Sequence, residues 1–418
     1  MFIPETNSTV KSPATVKPVS ARYKWELLVL LWIAFFLNQA DRQIFSVVLP
    51  LVKADLGLSD SQLGLIASSL VWTYGVFVPI AGFIGDRWSR RNIIGSSLLF
   101  WSLATLLTGM GSTVAQFVLL RGVATGGGEA FYAPAANALI SEEHKKKRSF
   151  ALSVHQTAVY FGIILSGLIA GLIAERYGWR NAFYLFGALG VLLAIVIFLR
   201  LRKDVPAQEA EKASVLATAR EVGGKPTAIL LTVAFACMVF VNVGYLTWMP
   251  SLMVEKFGFS LSKAGFSSMV YHHVGAFLGV IGGGMMADYY SKKNPRNRLL
   301  LQSVSLLAGV PFIYWMSTAT TVEMTYLSLF FFGVFRGAYD SNIFASLFEV
   351  VRPSVRSSSA GLMLMCAFLV GAFSPFLLGV LKPSLGLATG LSWLWISYFI
   401  GSSAILTAVL FFFKRDRV

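Results

Sequence analysis

The chain has 418 residues, 56% of them apolar and only 13% charged, against roughly 25% charged residues in an average soluble domain. With a mean hydropathy of +0.68, this excludes a secreted domain, a disordered chain and an ordinary soluble enzyme. The formal charge of +15 comes from 35 Lys+Arg against 20 Asp+Glu; in a membrane protein such an excess reports orientation rather than a nucleic-acid partner.

Met1 to Arg22 is polar and lacks the apolar core of a signal peptide, so a retained cytoplasmic tail is expected over 1–23. Beyond it, apolar runs of the roughly 20 residues that cross a bilayer follow one another. Charge clusters and turn residues bound twelve predicted helices at 24–52, 60–85, 91–111, 114–140, 149–174, 180–201, 226–256, 261–289, 298–318, 322–350, 355–381 and 388–413. The expected organisation is a six-helix half over 24–201, a linker over 202–225, a second half over 226–413 and a short tail over 414–418. Ala207 to Val222 in the linker reads either as a short amphipathic helix stopped by Gly223, Gly224 and Pro226 or as a disordered linker. The fold class is therefore all-α, a twelve-span membrane protein.

Basic residues orient it. The tails and the 2–3, 4–5, 6–7, 8–9 and 10–11 connections hold 26 of the 35 Lys+Arg, and the opposite connections hold six. Both termini are expected in the cytoplasm. Cys237 and Cys366 lie inside apolar runs, so neither a disulfide nor a metal site is expected. No His, Cys and acid cluster has metal-ligand spacing, and Gly126–Gly128 lacks the context of a phosphate loop, so no cofactor is predicted.

The halves repeat one another. Gly82, Asp86, Ser89, Arg90 and Arg91 follow span two; Gly284, Asp288, Ser291, Lys292 and Lys293 follow span eight at the same offsets. Span four carries Arg121-Gly122 and span ten Arg336-Gly337. Parallel six-span halves are a recurring transporter architecture.

At these residues the chain resembles the major facilitator superfamily. The family's pattern G-x-x-x-D-R-x-G-R-R/K is met by Gly82, Asp86, Arg87, Arg90 and Arg91, with Ser89 where glycine is usual. The resemblance implies a gating role for these residues and for Asp288, with Asp86 as a breakable latch. It also implies that spans one, four, seven and ten line a central cavity. Asn38-Gln39-Ala40-Asp41-Arg42 and Arg121-Gly122…Gly128-Glu129-Ala130-Phe131-Tyr132 are similar to the spinster branch and, more loosely, to the anion:cation symporters. Arg121 stands eight residues before Glu129 where the branch has seven; one extra residue turns a helix by about 100°, and a bulge at Gly126–Gly128 could absorb it.

Six ionisable residues sit inside spans: Asp41, Arg42, Arg121, Glu129, Arg336 and Asp340. Each costs about 2.5–3.5 kcal/mol at the bilayer centre, which marks them as functional candidates. Asp41 is expected to meet a base from span four, and Arg336 with Asp340, four apart, to share one face of span ten. A carboxyl in a poorly solvated cavity can exchange protons near neutrality, so Glu129, Asp41 and Asp340 are the candidate proton carriers. His155 in span five joins them as a relay, although a core histidine bonded to a neighbour is the commoner case, as it is for His272-His273 in span eight. Substrate contacts are assigned to Arg42, Arg121, Arg336, Asn38, Tyr132, Tyr160, Asn242, Tyr245, Trp248 and Tyr339. Pro134, Pro250 and Pro375 should bend spans four, seven and eleven.

The expected function is secondary active transport by alternating access. The partners would be a small organic anion such as a sugar acid, a proton (sodium being the alternative) and the lipid bilayer, with a monomer as the working unit and a bacterial inner membrane as the location. A lysophospholipid or sphingoid-phosphate substrate and a multidrug exporter are the rival transport readings. A channel or membrane-embedded enzyme is the reading outside transport, and no converging nucleophile and base favours an enzyme.

Overall fold

In hydrocarbon every backbone polar group must be satisfied within its own segment, which leaves the helix as the form for a chain of this composition. The computed structural model describes residues 21–85, 88–202 and 215–418, and among these the secondary structure is helical throughout. The unbroken spans are Ala21–Leu56, Asp60–Gly85, Arg90–Thr108, Arg148–Tyr177, Trp179–Arg200, Pro226–Phe257, Leu261–Ser291 and Arg296–Thr318. Eight helical stretches of the described chain are long and apolar enough to cross a membrane; they include the composite Pro353–Leu385 and Leu387–Asp416 and leave out Arg90–Thr108 and Leu261–Ser291.

Spans four, ten, eleven and twelve are built from pieces, which the hydropathy pattern does not disclose. Span four runs through a π-helical turn, Val118–Thr125, and breaks again before Tyr132–Glu143. Span ten breaks between Val322–Asp340 and Ile343–Phe348, and span eleven between Arg356–Gly371 and Phe373–Leu385. Pro134 and Pro375 sit just inside the second pieces of spans four and eleven, where a missing N–H is tolerated. Span seven passes through Pro250 as a single helix.

The repeat reappears in the turns. At the end of the bundle opposite both termini, Gly57 and Gly258 close spans one and seven, each with φ +63°. Gly178 and Gly386 close spans five and eleven with φ +89° and +78°. A side chain is strained in this region and glycine is not, so corresponding turns of the two halves chose the same residue. At the terminal end, Arg90 enters span three and pairs with Glu142 at the end of span four. Arg298 enters span nine and pairs with Glu349 at the end of span ten at 3.2 Å. Asp288, the repeat partner of Asp86, meets the same Arg298 at 3.2 Å. Asp86 and Arg87 themselves lie outside the described residues; Gly82 lies in span two.

The linker contributes the helix Val215–Gly223; the earlier part of the predicted helix, up to 214, lies outside the described residues. This helix is held to the second half. The Arg352 main-chain N–H and Nε donate to the two Glu221 carboxylate oxygens at 2.9 and 2.8 Å. Thr227 N–H donates to Asp416 Oδ2 at 2.9 Å, which fastens the C-terminal turn beside it.

The two halves meet most closely at the far end. Asp60, opening span two, lies between Lys53 at 2.7 Å and Lys382 of the second half at 3.1 Å, and Lys382 also reaches Glu255 at 2.5 Å. Four charges thus alternate in sign across the junction. Glu175, ending span five, accepts from the Ser262 N–H at 2.7 Å, placing a carboxylate on the N-terminus of span eight. Gly167 and Gly265 press backbone to backbone here: a Cβ on Gly167 would lie 2.5 Å from the Gly265 carbonyl oxygen.

Two outcomes are expected. With spin labels at the exposed positions Ser59 and Ser384, in a background with Cys237 and Cys366 replaced, Lys382→Gln should raise the long-distance population by about tenfold, equivalent to about 1.4 kcal/mol. Separately, the Arg352 guanidinium holds the Glu221 carboxyl below the usual range. That clamp is fully present above the ordinary carboxylate pKa and is lost as pH falls through the depressed value. Amide exchange over 215–223 should therefore rise only below about pH 4, and Arg352→Gln should raise it at neutral pH.

Candidate functional site

The wide turn in span four decides the first half of the site. It absorbs the extra residue between Arg121 and Glu129 at 118–125, ahead of the three glycines rather than within them. Thr125 Oγ1 donates to the Leu120 carbonyl five residues back, at 3.0 Å. Arg121 thereby reaches span one, where Nη1 and Nη2 donate to the main-chain carbonyls of Asp41 and Arg42, each at 2.9 Å. The guanidinium also lies over the Phe45 ring, 5.0 Å from its centroid. Arg121 is buried and acts as a brace between spans one and four.

The expected pairing of Asp41 with a base of span four is replaced by the opposite pairing. Arg42 Nε meets Glu129 Oε2 at 2.7 Å, with the Glu129 side chain wholly enclosed and that of Arg42 21% exposed. The Arg42 guanidinium lies 4.1 Å from the centroid of Tyr74, a span-two residue that hydropathy does not single out. Asp41 turns the other way, into span three, and accepts from Thr105 Oγ1 at 3.2 Å. The reason is geometric: consecutive helical residues point about 100° apart, and the base that could have met Asp41 is committed to carbonyls. Asp41 Oδ1, Glu129 Oε1 and Arg42 Nη2 make no hydrogen bond.

The second half builds a counterpart. Arg336 Nη2 pairs with Asp340 Oδ2 at 3.3 Å within span ten, the side chains being 17% and 25% exposed. Arg336 Nη1 lies 3.1 Å from His272 Nε2 on span eight. Arg336 Nε and Asp340 Oδ1 make no hydrogen bond. Spans eight and ten come this close because Gly333 rests on the His272 carbonyl oxygen, 2.0 Å from where a Cβ would stand. Half-buried Tyr160, from span five of the other half, faces this group with its ring 6.1 Å from His273.

Several expected cavity residues are core instead. Tyr245 and Trp248 are fully buried and donate to main-chain oxygens, Tyr245 to Ser268 and Trp248 to Pro375 at 3.0 Å. Tyr132 is fully buried, with its hydroxyl donating to Leu31 O at 2.5 Å. Tyr339 is enclosed in the same way, and Asn38 is buried with Oδ1 accepting from Gln39 at 2.9 Å. Their aromatic surface packs helices, the commoner use of such a stripe. Asn242 stays half-buried, with Oδ1 unbonded. His155 is enclosed between Phe35, stacked at 4.7 Å, and the Tyr132 hydroxyl at 3.1 Å.

Comparison with known proteins agrees with this architecture. The family model of the Major Facilitator Superfamily matches residues 31–375. The chain belongs to that superfamily and is a membrane transporter. It is 26% identical to a hexuronate transporter of Bacillus subtilis, over 88% of this chain and 90% of that one. It is 27% identical to protein spinster homolog 1 of Xenopus tropicalis, over 88% and 74% respectively. The structure superimposes on a bacterial homolog of the human lysosomal transporter spinster, in an inward-facing and unoccupied conformation, with a TM-score of 0.85 over 96% of this chain, 99% of that one and 21% identity.

Breaking one partner of a buried pair leaves the other charge uncompensated, at a cost of about 3–5 kcal/mol. Arg42→Ala should lower the thermal unfolding temperature markedly, and Arg42→Ala with Glu129→Gln should recover more than half of the loss. Equal destabilisation by the single and double variants would show that Glu129 does not depend on Arg42.

Proposed function

We propose that the protein is a proton-coupled transporter of a small organic anion, a sugar acid or similar carboxylate. One observation carries the reading: each half contributes an arginine, Arg42 or Arg336, that keeps some exposure, retains an unbonded N–H and is held by a carboxylate, Glu129 or Asp340. Arginine suits bidentate contact with a carboxylate, and one arginine from each half can take the carboxylate and the hydroxyls of a sugar acid.

The coupling follows from charge balance. A substrate carboxylate that takes Arg42 must displace Glu129, which would then be an unpaired buried anion. A proton on Glu129 removes that cost. One anion and one proton enter together, and the net charge of the site does not change. Asp340 can act in the same way at Arg336, while Asp41, bonded to a single hydroxyl, is a second proton store behind them.

Alternating access then consists of the two halves rocking about this site. The charge and glycine contacts at the far end close that side. With both termini in the cytoplasm, as the basic residues favour, the conformation is inward-facing and the site opens to the cytoplasm. A monomer in a bacterial inner membrane is the working arrangement we infer.

In proteoliposomes, Glu129→Gln should abolish D-glucuronate uptake driven by an imposed pH gradient while leaving glucuronate–glucuronate exchange within about threefold of wild type. Loss of both in a folded variant would refute a purely proton-carrying role. Arg336→Ala should weaken D-glucuronate binding by about tenfold or more, the value of a charge-assisted contact, and leave neutral D-glucose binding unchanged. A response to lysophospholipid instead of sugar acids would replace the substrate class.

A further inference from the structure

We propose that His272 is the positioning residue for Arg336: a neutral imidazole, protonated on Nδ1, whose Nε2 accepts from the guanidinium and fixes the direction in which Arg336 meets an anion. The inference rests on the anion reading for the purpose of that positioning, though not for the contact itself.

The chemistry of the two groups sets the roles. A guanidinium has five N–H donors and no acceptor. At 3.1 Å from Arg336 Nη1, His272 Nε2 must therefore be the acceptor, and its proton must sit on Nδ1. Nδ1 itself makes no hydrogen bond, and the Leu329 main-chain oxygen is the polar group that acts on the ring from that side.

The ring has little freedom to do otherwise. His272 is fully buried, and its centroid is 4.5 Å from Phe332, 4.7 Å from Tyr245 and 5.0 Å from His273. The Gly333 contact holds its backbone against span ten. Arg336 is thus gripped on two sides, by His272 through Nη1 and by Asp340 through Nη2. Nε has no partner, and the group faces Tyr160 of the opposite half. Without His272, the guanidinium would be free to fold onto Asp340 and form a closed bidentate pair, spending the donors that an anion needs. Asp340 alone cannot prevent this, because it lies on the same helix face four residues away.

Two measurements on the full-length protein in nanodiscs test the proposal. The first is nitrogen NMR of protein carrying 15N-histidine, with the His272 signals assigned by their loss in His272→Gln. The expected spectrum at pH 7.5 has an unprotonated Nε2 and a protonated Nδ1; a proton on Nε2 overturns the proposal. The second is binding of D-glucuronate and D-glucose to two variants. Gln places an amide oxygen near the Nε2 position, whereas Phe fills the space among Phe332 and Tyr245 without an acceptor. His272→Phe should weaken glucuronate binding by about tenfold, and His272→Gln should stay within about threefold. Equal losses in both folded variants would reduce His272 to a packing residue. If wild type binds no glucuronate while Nε2 is unprotonated, the grip on Arg336 stands and the anion reading is what fails.

Discussion

An unpaired charge cannot be kept in the middle of a membrane, and the molecule is organised around that constraint. At about 2.5–3.5 kcal/mol for each residue, six embedded charges would erode much of a fold's margin if left alone. Each is instead engaged by another group. Arg42 has Glu129, Arg336 has Asp340 and His272, Arg121 has two main-chain carbonyls, and Asp41 has a threonine hydroxyl. A buried pair is weak evidence for stability in its own right. On the proposed function, its use is that either partner can be exchanged for a substrate or a proton, at a place where being unpaired is expensive.

The same constraint explains why helices are broken where they are. A π-helical turn shifts the facing of every later side chain, and in span four it sends Arg121 to span one and leaves Glu129 for Arg42. Span ten ends its long segment at Asp340, so the acid sits at a helix end beside its arginine. Breaks of this kind are tolerated within a bilayer only where protein or a polar cavity covers the freed backbone.

Movement between halves requires an interface that can open. At the far end it includes ion pairs and close glycine contacts. Ion pairs can be re-solvated when the halves part, and small residues separate without repacking. Within each half the contacts are of a different kind: fully buried Tyr132, Tyr245 and Trp248 bond to main-chain oxygens. Those bonds tie helices together within each half, which suits the proposed rocking of one half against the other.

Much of the fold was legible in the order of residues. Apolar length set the number of spans, basic residues set the expected sidedness, and the matched Gly82…Arg91 and Gly284…Lys293 stretches disclosed the repeat, because each depends on local composition. Which residues carry charge into the membrane was equally plain. Their pairing was not. Asp41 misses the span-four base expected for it because the facing of Arg121 depends on a backbone turn that no periodicity records. His272 stayed hidden because a histidine's role is defined by the donor that faces it, here an arginine 64 residues away. Lys382 and Asp60 meet only when the halves dock. The sequence by itself determined that this is a two-half helical membrane transporter with charges at its centre; tertiary structure alone decided which of those charges hold one another, because pairing depends on the facing and docking of helices far apart in the chain.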